Sequence, residues 1–334
     1  MRTQVVLTVD TEPSIAGAYE DPERNAPLLH EPVAGEVDGK SEALGFLVET
    51  LSQYGQRATF FVEALHTRYF PDHAMGRYIE RLTAAEQDVQ LHLHPTWLNF
   101  RDGEMLPDSR ISDNCGELDR GLLAETMEEG AAQIERWTGR RPTALRTGNF
   151  STSRRVFEAM SDVGLDVSSN ICLAVAPPKE PELALAGGRH EIEGVQELPV
   201  TCFVDRGPVG RGRLRPLQVT ALGGGEMIAL LKQMHEDGSK DDAGVAVIVT
   251  HPFEFIKPGD FRYSRMKANG LVQGRLQRLC AFLAEESDKF EVVPLREAAT
   301  QAPLDGRGAP AIPKGNPLRA FVRAGENYLN DRLP

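Results

Sequence analysis

Apolar residues gather along the chain in short runs, and seven of these read as buried strands: 4–9, 58–62, 89–93, 144–146, 195–200, 245–250 and 290–294. The runs are rich in β-branched or aromatic residues, as strands covered by other layers are. Between them apolar positions recur at helical spacing, most clearly over 41–54, 75–85, 122–137, 154–163, 226–236 and 273–286. Strand and helix therefore alternate along most of the chain. That order favours a parallel sheet with crossover helices, either open or closed into a barrel.

Two long polar segments, 12–40 and 99–120, interrupt the alternation. Segments of this length in a compact domain are usually functional or disordered. Both follow strand candidates, so both leave from strand carboxyl ends, where α/β folds build their sites. After about Thr300 the chain turns rich in Pro, Gly and Ala and ends in a segment, 317–333, that can form a short helix. Residues 1–300 thus read as one domain and 301–334 as a C-terminal extension. The tail carries Leu318, Phe321, Val322 and Leu329, which could dock on the chain's own barrel or on another subunit. Docking on its own barrel is the simpler expectation.

A formal net charge of -12, from 49 acidic against 37 basic residues, argues against a general nucleic-acid partner. Such a partner rewards a dominant positive field. No apolar run approaches the roughly 20 residues of a membrane span. The start, MRTQVVLTVDTEP, lacks the long apolar stretch of a secretory signal. Cys115, Cys172, Cys202 and Cys280 are scattered with no C-x-x-C pair, which fits reduced thiols better than a disulfide framework. A cytoplasmic location is expected, and oligomeric state is left open.

Four places could carry chemistry. Asp10 and Glu12, two apart at the end of the first strand, point to the same side. One could hold a cation while the other takes a proton, or both could be solvated loop acids. His92 and His94 face one way for the same reason, and neutral imidazoles presented together suit zinc and neighbouring transition ions. The alternative is a pair of histidines bonded to backbone. Arg146 closes a short strand and could keep an active-site carboxylate ionised, or join a surface ion pair. His251 follows a run that must be buried, and becomes a general acid only in the company of other site groups.

The order of these pieces resembles the NodB-homology polysaccharide deacetylases, carbohydrate esterase family 4. Their early acidic strand end, histidine motif, arginine strand end, Pro-containing segment and late histidine correspond to Thr8–Glu12, His92–His94, Arg146–Gly148, Glu197-Leu198-Pro199 and Thr250-His251-Pro252. The strand Ala58-Thr59-Phe60-Phe61-Val62 and the lead Trp137-Thr138-Gly139-Arg140-Arg141-Pro142 are also similar to the family's. Thr11 stands where the family has a second Asp, and the usual His-x-x-x-His spacing is replaced by H-x-H-P. This variant resembles divergent members associated with lipopolysaccharide or surface-polysaccharide synthesis.

The resemblance implies a distorted (β/α) barrel of about seven parallel strands. It also implies a divalent metal, zinc by default with cobalt, nickel or iron as alternatives, held by Glu12, His92 and His94. Asp10 would be the base, Arg146 its partner and His251 the acid. A backbone N–H near Thr147 or Gly148 would face the oxyanion. The substrate would be an N-acetylated sugar or a sugar-containing precursor. Residues 205–215 hold four arginines that could meet phosphate or carboxylate, or could be a solvated loop. Two other readings stand beside this one: an amidohydrolase acting on a non-sugar amide or formyl group, and a carbohydrate-binding barrel whose catalysis has decayed.

Overall fold

The computed structural model describes residues 1–107, 111–207, 212–238, 244–300 and 311–332. Its main sheet contains β1 (Thr3–Thr11), β2 (Thr59–Glu63), β3 (Asp88–Leu93), β4 (Ala144–Thr147), β5 (Val167–Ser168), β6 (His190–Ile192), β7 (Val195–Glu197), β8 (Val245–Thr250) and β9 (Phe290–Val292). The order across the sheet is β6-β7-β5-β4-β3-β2-β1-β8, with β9 paired to the start of β1. Every pairing is parallel except β6 with β7. The expected seven parallel strands are therefore eight among the described residues, with an antiparallel edge strand added. The sheet curls into a distorted barrel whose closing side is irregular. Beyond Glu197 the chain crosses to β8, where the Thr201 N–H donates to the Val247 carbonyl and the Val249 N–H to that of Leu217.

Strand alternation sorts the side chains into two layers. On β1, Val5, Leu7 and Val9 face the helices and join the larger apolar core. Val6 faces the barrel interior, where it meets Phe61, Ala144, Val167, Val247 and Val249. Buried on both sides, the strands read as near-continuous apolar runs. Toward their carboxyl ends the inward positions turn polar: Thr8 and Asp10 on β1, Glu63 on β2, Gln90 and His92 on β3, and Arg146 on β4, all buried. Register aligns Glu63, His92 and Arg146 in one row across three strands.

The principal helices are α1 (Leu44–Gln53), α2 (His73–Ala84), α3 (Arg120–Thr138), α4 (Arg154–Val163), α5 (Gly224–Asp237), α6 (Gly270–Glu285) and α7 (Pro317–Arg332). Asp119 caps α3, its side chain accepting from the Leu122 N–H at 3.0 Å, and Gly139 ends it with φ 71°. Gly130 lets α3 lie close to β3, since a Cβ there would stand 2.8 Å from Leu91 Cδ1.

The tail departs from expectation. Helix α7 does dock on the barrel, but through Ala320 and Arg323, while Leu318, Phe321, Val322 and Leu329 face away. Buried Arg323 bonds Asp205 at 2.6 Å and Glu226 at 2.8 Å, so an ionic anchor does the work expected of apolar contact. Of the arginine-rich stretch, 208–211 lies outside the described residues, as do 301–310 and 333–334 of the extension. Arg215 is spent on an ion pair with Asp205 at 2.7 Å.

Candidate active site

Alternation continues past the strand ends because the next residues stay extended. His94 has φ -111° and ψ 106°, and His251 has φ -131° and ψ 152°. His94 therefore falls on the face of His92, and His251 on that of Val247 and Val249. The Nε2 atoms of His92 and His94 lie 2.9 and 2.7 Å from one oxygen of Glu12. Their outer nitrogens are engaged: His92 Nδ1 meets the Arg146 carbonyl and His94 Nδ1 the Asp113 carboxylate, both at 2.8 Å. Each ring is thus oriented with Nε2 inward, as a metal-ligating histidine needs. Ligand atoms of Glu12, His92 and His94 all lie within 4.8 Å of one another. Burial raises the Glu12 carboxyl, but His94 and His92 outweigh it and hold Glu12 well below the usual carboxylate range.

Backbone geometry makes room for this cluster at Gly148. A Cβ there would stand 2.4 Å from the His94 ring. Asn149 and Phe150 follow with φ of 55° and 52°, a left-handed pair that non-glycine residues rarely adopt. Asn149 Nδ2 donates to the Asp113 carboxylate at 2.9 Å, fastening the β4 turn to the loop that follows β3.

Arg146 is fully buried. Its guanidinium donates to Asp10 Oδ1 at 2.8 Å, the Thr8 hydroxyl at 2.7 Å, the Ser169 carbonyl at 2.9 Å and the Ser169 hydroxyl at 2.6 Å. It also lies over the Phe61 ring, 4.6 Å from the centroid. The other Asp10 oxygen faces His251 Nε2 at 3.8 Å, and His251 Nδ1 meets Glu254 at 3.0 Å. Burial pushes His251 down, yet the hydrogen-bonded Glu254, then Asp10 and Glu12, outweigh it and lift the pKa to about 9.

All six residues singled out in the sequence, Asp10, Glu12, His92, His94, Arg146 and His251, meet at one end of the barrel. Three carboxylates were missed. Asp113 sits inside the long polar segment 99–120 that the sequence did mark. Glu254 lies three residues after His251, where one turn returns it to the ring. Glu63 accepts the His94 N–H at 2.5 Å and the Leu65 N–H at 2.6 Å, and burial pushes its pKa up to about 8. Its signal was an acid ending an otherwise apolar strand. Of the two backbone groups expected near the oxyanion, the Thr147 N–H is already given to Asn170 Oδ1 at 2.9 Å. Glu197, from the Pro-containing motif, is buried under the Ser168 hydroxyl and the N–H groups of Asn170 and Ile171, and so anchors the loop carrying Ser169.

A cavity of about 280 Å³ opens over the cluster. Glu12, His94 and Asp113 form its polar side, and Trp97, Phe253 and Tyr263 its aromatic side.

No protein-family model matches the chain, and no curated protein matches it in sequence. Solved structures do. A Mycobacterium smegmatis protein assigned as a polysaccharide deacetylase is 16% identical over 89% of both chains, with a TM-score of 0.55. A family 4 acetyl xylan esterase from Clostridium thermocellum, in complex with a cobalt ion, is 15% identical over 89% of this chain and 91% of its own, with a TM-score of 0.42. A family 4 carbohydrate esterase from Streptomyces lividans, in complex with acetate, is 13% identical over 87% and 91%, with a TM-score of 0.41. The first of these likenesses, joined to the sheet order and the curl of the barrel, gives the chain the fold of the polysaccharide deacetylases.

Proposed function

We propose that this protein is a metal-dependent hydrolase that removes an N-acetyl or related N-acyl group from a sugar. The observation that carries the reading is the convergence of Glu12, His92 and His94 beside an Asp10–Arg146 pair and a His251 held by Glu254. The donor set fits a divalent cation of the zinc type, because both imidazoles are locked by their Nδ1 partners with Nε2 turned to one carboxylate. When bound there, the cation would act as a Lewis acid toward the acyl carbonyl and make water at the site more acidic.

The chain's own groups divide the rest. Asp10, buried and fixed by Arg146, takes the proton released as water attacks. Gly148 offers a backbone N–H on the side where negative charge develops, an interaction typically worth about 3 kcal/mol in the transition state. His251, kept protonated by Glu254, gives its proton to the departing amine, which is otherwise a poor leaving group. Phe253 and Tyr263, both partly exposed, supply apolar surface for an acyl methyl or a sugar face, over a floor that includes the buried Trp97. A surface-polysaccharide or lipopolysaccharide precursor suits the H-x-H-P motif, and four buried free thiols suit a reducing compartment such as the cytoplasm.

The test is elemental analysis of purified protein together with acetate release from a panel of N-acetylated sugars and sugar nucleotides. About one equivalent of metal with acetate release supports the reading. Metal without release from any sugar, but with hydrolysis of simple amides or formamides, transfers it to an amidohydrolase. No binding of added zinc, cobalt or nickel marks a barrel that has lost its chemistry.

A further inference from the structure

Helix α7 is amphipathic in the reverse sense. Its polar side faces the barrel, where Arg323 meets Asp205 and Glu226, and Arg275 of α6 reaches Glu326 at 2.9 Å and Asn327 at 2.8 Å. Its apolar side faces outward, with Leu318, Phe321, Val322, Tyr328 and Leu329 each 53–78% exposed. A lone exposed leucine means little, but five large apolar side chains on one helical face mark a contact surface.

We propose that this face joins two copies of the chain, α7 packing antiparallel on α7 of the second copy about a two-fold axis through Gly325. At 100° per residue Gly325 lies in the middle of the stripe, with Val322 and Leu329 on one flank and Phe321 and Tyr328 on the other. A two-fold axis across an antiparallel pair keeps each flank on its own side. Val322 then meets the second copy's Leu329, and Phe321 meets its Tyr328, aliphatic on aliphatic and ring on ring. At the crossing stands a residue with no Cβ, and nothing lies within 4 Å of where one would be, so the two backbones can come close. Opposed helix dipoles also favour the antiparallel arrangement.

Lipid fits this face less well. A membrane-surface helix needs several cations along its flanks, whereas Arg323 is buried on acids, Arg319 donates to the Gly225 carbonyl at 2.6 Å, and Arg332, at the end of the stripe, lies over the Tyr328 ring. The chain's net charge of -12 would also oppose an anionic bilayer. At roughly 100 Å² freed by each of the five side chains, the pair would bury about 1,000 Å² in total, the lower bound for a specific interface.

Cysteine placed by substitution tests both partner and orientation, because the four native thiols are buried. Gly325→Cys is expected to form a disulfide-linked dimer under mild oxidation, since the axis brings position 325 against itself. Leu318→Cys should not, because antiparallel packing sets its two copies 14 residues apart, about 21 Å, beyond disulfide reach. Sedimentation of the unmodified protein should show a dimer at micromolar concentration, and Phe321→Glu should sediment as a monomer with the same circular dichroism. A wild-type monomer at 100 micromolar overturns the proposal. So does equal cross-linking at both positions, which means parallel packing, or a monomer that instead floats with phosphatidylcholine vesicles.

Discussion

Gly148 is where a single methyl group decides whether the site forms. The Cβ of Gly148→Ala would stand 2.4 Å from the His94 ring, and that ring cannot retreat without leaving Glu12 and Asp113. The variant is expected to fold but to lose metal affinity and turnover together, which calorimetric titration with zinc would register; wild-type affinity would disprove the packing argument. The two carboxylates of β1 separate differently. Asp10→Asn should retain metal while turnover falls by about 10²- to 10⁴-fold. Glu12→Gln should lose both, with activity partly returning at high metal concentration. If Asp10→Asn is the variant that sheds metal, the roles are reversed. His251 adds a pH signature. Its pKa is raised to about 9, so the stabilisation it draws from Glu254 is full below about 6.5 and disappears as pH rises through about 9. Activity that needs the proton should fall over that alkaline range. Glu254→Gln removes the carboxylate charge that favours the protonated ring and should move the limb to lower pH; an unmoved profile would exclude His251 as the titrating acid. At this scale the sequence was most readable where chemistry sat on a strand. Period 2 put Asp10 with Glu12 and His92 with His94 before any contact was known. Asp113 and Glu254 were hidden because turns, which have no fixed period, return them to the histidines.

Elements tell a similar story with a different limit. Helix α4 was read from the sequence at its observed bounds, Arg154–Val163, because its apolar spacing is clean and Gly164 stops it with φ 74°. Strand β8 was equally plain, six apolar or β-branched residues in a row. By contrast β5 has two residues and β6 three, too few for any alternation to register. They exist because neighbouring backbone supplies partners, which is tertiary information. Length alone left the polar segment after β3 as either functional or disordered, and what decides between them is one residue. Asp113 accepts from the Thr96 N–H at 3.0 Å while holding His94, so the loop orients that imidazole. Asp113→Ala should weaken metal binding by about 10- to 100-fold without emptying the site. Competition against a graded set of chelators would measure it, and an unchanged affinity would reduce Asp113 to a surface contact.

Across the whole molecule, a parallel sheet with crossover helices was legible in the alternation of elements and its closure into a barrel only in the family resemblance, whereas the strand count and irregular closing side were not legible. The tail was legible as amphipathic, yet which face met the barrel depended on Asp205 and Glu226, acids far away in sequence. One feature ties these scales together. Arg146 starts on β4 and reaches Asp10 on β1, passing over the two strands between them, so its guanidinium spans the hollow of the barrel like a cross-brace. A brace carries load from both walls. Replacing it with methionine leaves Asp10 buried without its cation, an arrangement that typically costs about 3–5 kcal/mol. The loss should appear as a lower midpoint in urea at unchanged slope. Lysine should recover only part of it, because one ammonium cannot bridge Asp10, Thr8 and Ser169 together. The same span makes the proposed base a gauge of the wall's dimensions: when heat widens the barrel enough to part Arg146 from Asp10, turnover should decline at temperatures where the helices, which lie outside the brace, still give their full far-ultraviolet signal.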